Sequence, residues 1–352
     1  MEGGPSNTKF TSAMSLTSSG IPRVPEKYIL PPSQRPENCM NISTTLPVVD
    51  LSSLHDPSGR PRVINEIARA CKETGFFQVI NHGIASSTMK NALDIATDFF
   101  DLPLEEKMLL SSDDVHKPVR YGTSLNHAKD KVHFWRDFVK HYCHPISNWV
   151  HLWPANPPTY KQKMGDYAIA VRILEKQLME AVVESLGLKP NYLREETEQG
   201  SQVMAVNCYP ACPEPELALG LPPHSDYTSL TILLQSCSGL QVIDRNNNNN
   251  WLSVPAIEGA LVVQLGDQTE VMSNGAYKSS VHRVTVSCVN KRLSLSSLHS
   301  LPIDMKMGPA LDLVDKQHPA CYKEFSFQDF LEFHSGNDIS QGRFIEKLRI
   351  DP

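Results

Sequence analysis

The sequence predicts a mainly β protein with flanking helices, its core an all-β barrel or jelly roll. Two observations carry this. From Gln202 onward, MAVNCYP, SLTILLQ, LQVID, WLSVPA, ALVVQLGD, HRVTVS and RLSLSSL are short β-rich runs separated by Pro, Gly and Asn clusters, the even spacing of an all-β core. Upstream of them, apolar residues recur at helical rather than alternating spacing in long stretches. With 352 residues, 40% apolar and 20% charged, the chain has material for one large domain or two of ordinary size.

The elements follow in order. Residues 1–20 are rich in Ser, Gly and Thr without a continuous apolar run, which predicts a disordered tail rather than a signal peptide. The Pro-rich stretch IPRVPEKYILPPSQRPE is expected to be extended and draped over the surface. LPVVDLSSL predicts a short strand. Val63, Ile67, Ala70 and Cys71 mark a helix over 63–74 that Gly75 stops. FFQVINHG is aromatic and β-branched, a buried strand, and Ser86 or Ser87 is placed to cap a helix running to Phe100. Residues 113–158 carry Trp135, Trp149 and Trp153 among several prolines and predict loops with some strand. Tyr167, Val171, Leu174, Leu178, Ala181 and Val182 line one side of a long helix over 160–186, ended by Gly187 and Pro190. Within the β block, RNNNNNW is a loop between strands, since Asn tolerates turn conformations. FSFQDFLEFH predicts a late amphipathic helix. These changes of texture divide the chain into a tail (1–20), a helix-rich region with the first strands (21–200), a β core (201–305) and a C-terminal segment with a helix (306–352).

Composition excludes several function classes. The net charge is −6 and no basic stripe is available to track phosphates, so no nucleic-acid partner is expected. No window is apolar enough to span a bilayer. The eight cysteines lack CxxC pairs, and Cys208 with Cys212 alone make no zinc site. They are expected to be reduced thiols of a cytoplasmic protein. No heptad run stands out, and a monomer is expected.

Three short motifs carry chemistry. His224 and Asp226 form an H-x-D tripeptide just before SLTILLQ. In extended chain, i and i+2 face the same way, so both side chains can reach one ion. His282, in YKSSVHRV, supplies a second imidazole. Two imidazoles and a carboxylate on one face of an octahedron suit Fe(II) and oxygen chemistry. The tripeptide alone is weak, since ordinary His and Asp content produces it by chance. Arg292 and Ser294 share a face of a later strand, and a guanidinium beside a hydroxyl is a carboxylate receptor. Asn207 and Tyr209, in VNCYP, also share a face. The ordinary alternatives are a loop histidine, a strand-edge arginine and a packed tyrosine, but the order and placement of all three motifs on one β block favour a site.

N-x-Y-P, EPELALGLPPHSD, SLTILLQ, GLQV, GD-x-x-E-x-x-SNG-x-YKS-x-x-HR and R-x-S together resemble the plant 2-oxoglutarate- and Fe(II)-dependent dioxygenases. LPVVDLSSL and FFQVINHGI match that family's N-terminal region, so the resemblance runs from about Ile21 to the C-terminus. WRDF, WPANPP and QVMAVNCYP are most similar to downy-mildew-resistance-type oxygenases and flavanone 3-dioxygenase-like proteins. The resemblance implies a double-stranded β-helix (jelly roll) core with flanking helices. It implies iron at His224, Asp226 and His282, the distal carboxylate of 2-oxoglutarate at Arg292 and Ser294, and its other end at Tyr209 and Asn207.

It further implies that O2 and 2-oxoglutarate are consumed, with release of succinate and CO2, while a small aromatic plant metabolite is hydroxylated or desaturated. Ascorbate is expected to support activity. Phe134, Trp135 and Arg136 fall in the region that lines the substrate pocket in related enzymes, Arg136 is suited to a carboxylate or phenolate, and Tyr121 is a further pocket or lid candidate. The ordinary alternatives are a structural aromatic, a salt bridge of Arg136 to Asp137 or another acid, and a core Tyr121. Six residues after Arg292, family members acting on flavonoids usually carry a Phe that stacks on the substrate; here it is Leu298. A flavanone-type substrate leads, with salicylate or another simple phenolic, a hormone or an alkaloid as alternatives. From another class, the scaffold could be an inactive binding protein.

Overall fold

The structure is a computed structural model that describes residues 11–36, 46–112, 114, 116–123, 130–245, 248–336 and 342–350. The chain opens with helix α1 (Ala13–Ser18), followed by β1 (Val48–Asp50), α2 (Arg60–Glu73), β2 (Phe76–Ile80), α3 (Ser86–Phe100) and α4 (Leu104–Met108). Then come β3 (Val119–Gly122), β4 (Asp137–Tyr142), α5 (Ile146–Trp149), α6 (Tyr160–Ser185) and α7 (Arg194–Gln199). The β block holds β5 (Ser201–Tyr209), β6 (Leu221–His224), β7 (Leu230–Gln235), β8 (Leu240–Asp244), β9 (Asn250–Ser253) and β10 (Leu261–Leu265). α8 (Asp267–Met272), β11 (His282–Val284), β12 (Arg292–Ser300) and α9 (Phe327–Gly336) complete it.

The strands form two sheets, an eight-stranded one in the order β1-β2-β10-β7-β12-β5-β4-β3 and a four-stranded one in the order β6-β11-β8-β9. Only β1 and β2 pair in parallel among them. Strand alternation sorts the large sheet's side chains into two layers. Phe77, Val79, Met204, Val206, Ile232, Leu234, Val263 and Leu295 join the apolar faces of α2, α3 and α6 in the main core. Phe76, Tyr209, Leu233 and Val262 point the other way and pack on Leu240, Val242, Leu252 and Val284 of the small sheet. Two facing sheets with helices behind the larger one make the jelly roll with flanking helices.

Several details differ from expectation. Within the predicted disordered tail, residues 11–20 contain α1: Ser12 caps it by accepting from Ser15 N (3.1 Å), and buried Ala13 packs near Tyr28 and Trp135. Residues 1–10 lie outside the described residues. The Pro-rich stretch is anchored, since Val24, Tyr28 and Leu30 are buried. Ala85 occupies the N-cap of α3 and neither Ser86 nor Ser87 caps it. The large sheet takes β1 to β4 from before residue 201, because parallel and edge pairings join residues far apart in sequence. Between β8 and β9, Asn248 and Asn249 adopt φ of 50° and 57°, the turn conformation that asparagine tolerates; residues 246–247 lie outside the described residues. Gly75 ends α2 at φ 68°. No disulfide occurs among the described cysteines; Cys39 is outside them. No described helix is long and apolar enough to cross a membrane.

Candidate functional site

The two histidines meet across the small sheet. His224 is the last residue of β6, His282 the first of β11, and their Cα atoms are register partners. Their ring centroids lie 4.1 Å apart. Asp226 follows β6 by two residues, and its Oδ1 is 3.6 Å from His224 Nε2 and 3.8 Å from His282 Nε2. One ligand atom from each of the three falls within 4.8 Å of the others.

The tautomers suit a metal. His224 Nδ1 donates to Pro222 O at 2.8 Å, and His282 Nδ1 to Ser280 O at 3.2 Å. A carbonyl only accepts, so each Nδ1 carries a proton, and each Nε2, on the side of Asp226, is the ring atom placed to bind a metal. Burial, with the neighbouring His282, pushes the pKa of His224 down, which keeps the imidazole in its ligand form. Two imidazoles and one carboxyl group, closely set, fit a divalent ion with positions left for exchangeable ligands.

The second group lies on the inward face of the large sheet. Arg292 and Ser294 on β12 are the register partners of Tyr209 and Asn207 on β5, so all four share that face. Arg292 is buried, with Nε donating to Cys237 O (3.0 Å) and Nη2 to Gln235 Oε1 (2.9 Å). Its guanidinium sits 5.1 Å from the Tyr209 ring centroid. Nη1 is buried and has no partner. A buried cation with an unsatisfied donor, and no carboxylate against it among the described residues, is suited to receive an anion. Two glycines make the room. A Cβ on Gly239, at φ 150°, would lie 2.8 Å from Arg292 Cδ, and one on Gly220 would lie 2.5 Å from Tyr209 Cδ1.

The substrate-pocket candidates separate. Arg136 faces the site: its Nη1 donates to Asn207 Oδ1 (2.8 Å), its Nε is buried without a partner, and its charge reaches His224. No Arg136–Asp137 pair forms, because Asp137 points to the opposite layer and accepts from Ala13 N (2.9 Å), Tyr121 Oη (2.7 Å) and Ser12 Oγ. Tyr121 is thereby a core residue rather than a pocket one; it is fully buried and packs 6.4 Å from Phe99. Phe134 packs with Leu30 and Leu219. Leu298 is partly exposed on the same face as Arg292. Along β5 and β12, Val203, Ala205, Ser296 and Leu298 are partly exposed while Gln202, Met204, Ser297 and His299 are buried. Both strands have neighbours on either side, so the accessible face opens into a cleft between the sheets.

The reading by motif missed the support of the metal loop. Arg343 donates through Nε to Ser225 Oγ (2.8 Å), between the two ligands of the H-x-D tripeptide, and through Nη2 to Asp267 Oδ1 (3.2 Å) and Ser279 Oγ. Asp267 N in turn donates to Asp226 O at 2.8 Å. Burial raises the Asp267 carboxyl to about 6 against the pull of Arg343. Glu270 accepts from Ser279 N (2.8 Å) and Tyr322 Oη (2.7 Å). Asp267, Glu270 and Ser279 lie within the motif GD-x-x-E-x-x-SNG-x-YKS, but nothing in the sequence points to Arg343.

Comparison with known proteins gives the family. Residues 46–156 match the family described as non-haem dioxygenase in morphine synthesis N-terminal, and residues 200–300 match the 2OG-Fe(II) oxygenase superfamily. The chain is 44% identical over 342 residues to Flavanone 3-dioxygenase 3 of Oryza sativa subsp. japonica, covering 96% of this chain and 100% of the relative. It is 38% identical over 345 residues to Protein DOWNY MILDEW RESISTANCE 6 of Arabidopsis thaliana, covering 96% and 99%. A solved structure of JOX2 in complex with 2OG, Fe and JA superposes with a TM-score of 0.86 at 31% identity, covering 98% of both chains. The chain belongs to the 2OG-Fe(II) oxygenase superfamily and is an iron- and 2-oxoglutarate-dependent dioxygenase.

Proposed function

We propose that His224, Asp226 and His282 hold Fe(II), that Arg292 and Ser294 hold the distal carboxylate of 2-oxoglutarate, and that Tyr209 and Asn207 contact its other end. The observation that carries this is the buried, unpartnered Nη1 of Arg292, on the inward face of one sheet while the metal triad stands on the other. Bound iron with 2-oxoglutarate supplies O2 activation coupled to decarboxylation to succinate and CO2. The chain's own part is positioning: Nδ1 bonds orient the imidazoles, Arg292 with its Gln235 and Cys237 contacts fixes the co-substrate, and the two apolar layers exclude water.

The substrate we infer is a small aromatic metabolite of flavanone type, hydroxylated or desaturated in the cleft beside Leu298 and Arg136. A relative 44% identical bears the name flavanone 3-dioxygenase. Salicylate or another simple phenolic is the second reading, favoured by the aliphatic Leu298, which offers a bulky flavonoid ring no aromatic partner. The test is succinate formation from 2-oxoglutarate with Fe(II) and ascorbate, with flavanones and simple phenolic acids supplied in turn and products identified by mass spectrometry. Stimulation by flavanones with a mass gain of one oxygen supports the leading reading. Stimulation by phenolic acids alone transfers it to the second. We further propose a cytoplasmic monomer. A rice relative 45% identical is named chloroplastic, so cell fractionation and gel filtration are the checks.

A further inference from the structure

The H-x-D tripeptide is gripped from outside the β core on both sides of its carboxylate. Asp226 lies between Ser225 and Tyr227, in the stretch that follows β6 and precedes β7. Ser225 Oγ accepts from Arg343 Nε at 2.8 Å, from 118 positions further along the chain. The Tyr227 ring is buried against three phenylalanines, with centroids 5.7 Å away at Phe325, 4.9 Å at Phe327 and 4.3 Å at Phe330. Both chain neighbours of Asp226 are thus held by the C-terminal segment, one by a hydrogen bond and one by ring packing.

The two grips belong to one unit. Phe344, next to Arg343, packs on Phe325 and Phe330 with centroids 5.7 and 5.8 Å apart. Lys323 N donates to Leu348 O (2.8 Å) and Ile350 N to Cys321 O (2.9 Å), which ties the two ends of the segment together. Its apolar cluster is distinct from the two that fill the jelly roll, and of its buried members Tyr227 and Val271 come from outside the segment. Val271 lies on α8, where Glu270 accepts from Tyr322 Oη at 2.7 Å. A small unit with its own cluster opens more readily than the main core. Ordering the loop after β6 costs conformational entropy, and a docked segment has already met that cost. A ligand of the loop then binds more tightly, and by reciprocity the bound ligand tightens the segment.

We propose that the C-terminal segment is a positioning element of the metal centre: it fixes Asp226 through both of its chain neighbours, so that docking of the segment and binding of Fe(II) strengthen one another. This rests on the Fe(II) assignment to His224, Asp226 and His282 made above. Tyr227 and Phe330 are positioning residues in this scheme, acting on the ligand through the backbone that joins Tyr227 to Asp226.

The test is hydrogen exchange of the full chain, read peptide by peptide by mass spectrometry, with and without Fe(II) under anaerobic conditions. Fe(II) is expected to slow exchange in residues 322–333 and 342–348 by about ten-fold or more, an ordinary strength of coupling between sites, while α2 and α6 change little. A ligand that merely stabilised the whole fold would slow α6 and the segment alike. Phe330→Ala should speed exchange of residues 342–348 and weaken Fe(II) binding by about five-fold or more in a calorimetric titration, whereas Phe330→Leu should retain most of the affinity. Unchanged exchange in the segment, with Fe(II) shown by calorimetry to bind, overturns the proposal. So does equal slowing of α6 and the segment, or a Phe330→Ala chain that loosens the segment yet keeps the parent's affinity. If the parent chain binds no Fe(II), or binds it equally well after Asp226→Ala, the metal assignment itself falls and the proposal with it.

Discussion

His224 and His282 are register partners across β6 and β11, with ring centroids 4.1 Å apart although 58 positions separate them in sequence numbering. Two imidazoles tilted 52° to each other, each donating through Nδ1 to a carbonyl, stand beside Asp226, and as ligands of one ion the three would depend on one another. His282→Ala or Asp226→Ala should each abolish Fe(II)-dependent 2-oxoglutarate turnover, a loss of about a thousand-fold or more. Metal content by elemental analysis, alongside succinate assays, checks this; a variant that keeps full iron and full turnover would remove that residue from the centre.

Arg292 offers a fork that a lysine cannot copy, since Nε and Nη2 are committed to Cys237 O and Gln235 Oε1 and only Nη1 is spare. Arg292→Lys keeps the charge and loses the geometry. KM for 2-oxoglutarate should rise by about thirty-fold or more while Fe(II) affinity holds. Equal KM values in variant and parent would move the co-substrate's carboxylate elsewhere.

Arg343 ties the C-terminal segment to the H-x-D loop through Ser225 and Asp267. Arg343→Ala should weaken Fe(II) binding by about ten-fold or more, as loss of a ligand-orienting partner does. Arg343→Lys should recover part of it. Calorimetric titration with Fe(II) under anaerobic conditions reads the effect directly, separate from any change in thermal stability.

A buried pair behind β12 makes stability depend on pH. Glu175 Oε2 on α6 lies 3.7 Å from His299 Nδ1, and His299 Nε2 lies 2.9 Å from Ser297 Oγ. Burial raises the Glu175 carboxyl to about 8 and holds His299 well below its ordinary value. The unfolded chain releases the Glu175 proton near 4.5, so between there and about 8 it binds fewer protons than the folded chain. Stability from this group falls as pH rises through that window. His299 acts in the opposite direction below 6.5, where only the unfolded form is charged, which leaves the net loss between about 6.5 and 8. Glu175→Gln should raise Tm at pH 8 by about 5 °C and change it little at pH 5. A calorimetric scan at both values decides; equal shifts at both would exclude the titration.

The β core was legible because alternation and turn residues are local properties. The same two-residue period placed Arg292 with Ser294, and Asn207 with Tyr209, on shared faces. Register across β5 and β12 then made the two pairs neighbours. Arg136 and Tyr121 could not be told apart in the same way. Both precede or sit in strands beside the site, and only the pairing of β4 with β5 on one side and β3 on the other sets Arg136 against Asn207 and Tyr121 against Asp137. The predicted tail failed for a related reason: α1 is too short to be stable alone, and its order comes from buried contacts with Tyr28, nearby in sequence, and with Asp137, more than a hundred residues away.

By itself the sequence determined which residue types could carry the chemistry: a His-Asp-His set, an arginine and a serine on one face of a strand, and the β periodicity that carries both. Those follow from residue type and from spacing within a strand, which backbone geometry converts into a face. The tertiary structure alone decided which cations enter the cleft, which aromatic groups retire to the core and which distant arginine holds the metal loop. Such choices depend on register and burial between segments far apart in the chain, and no local pattern encodes them.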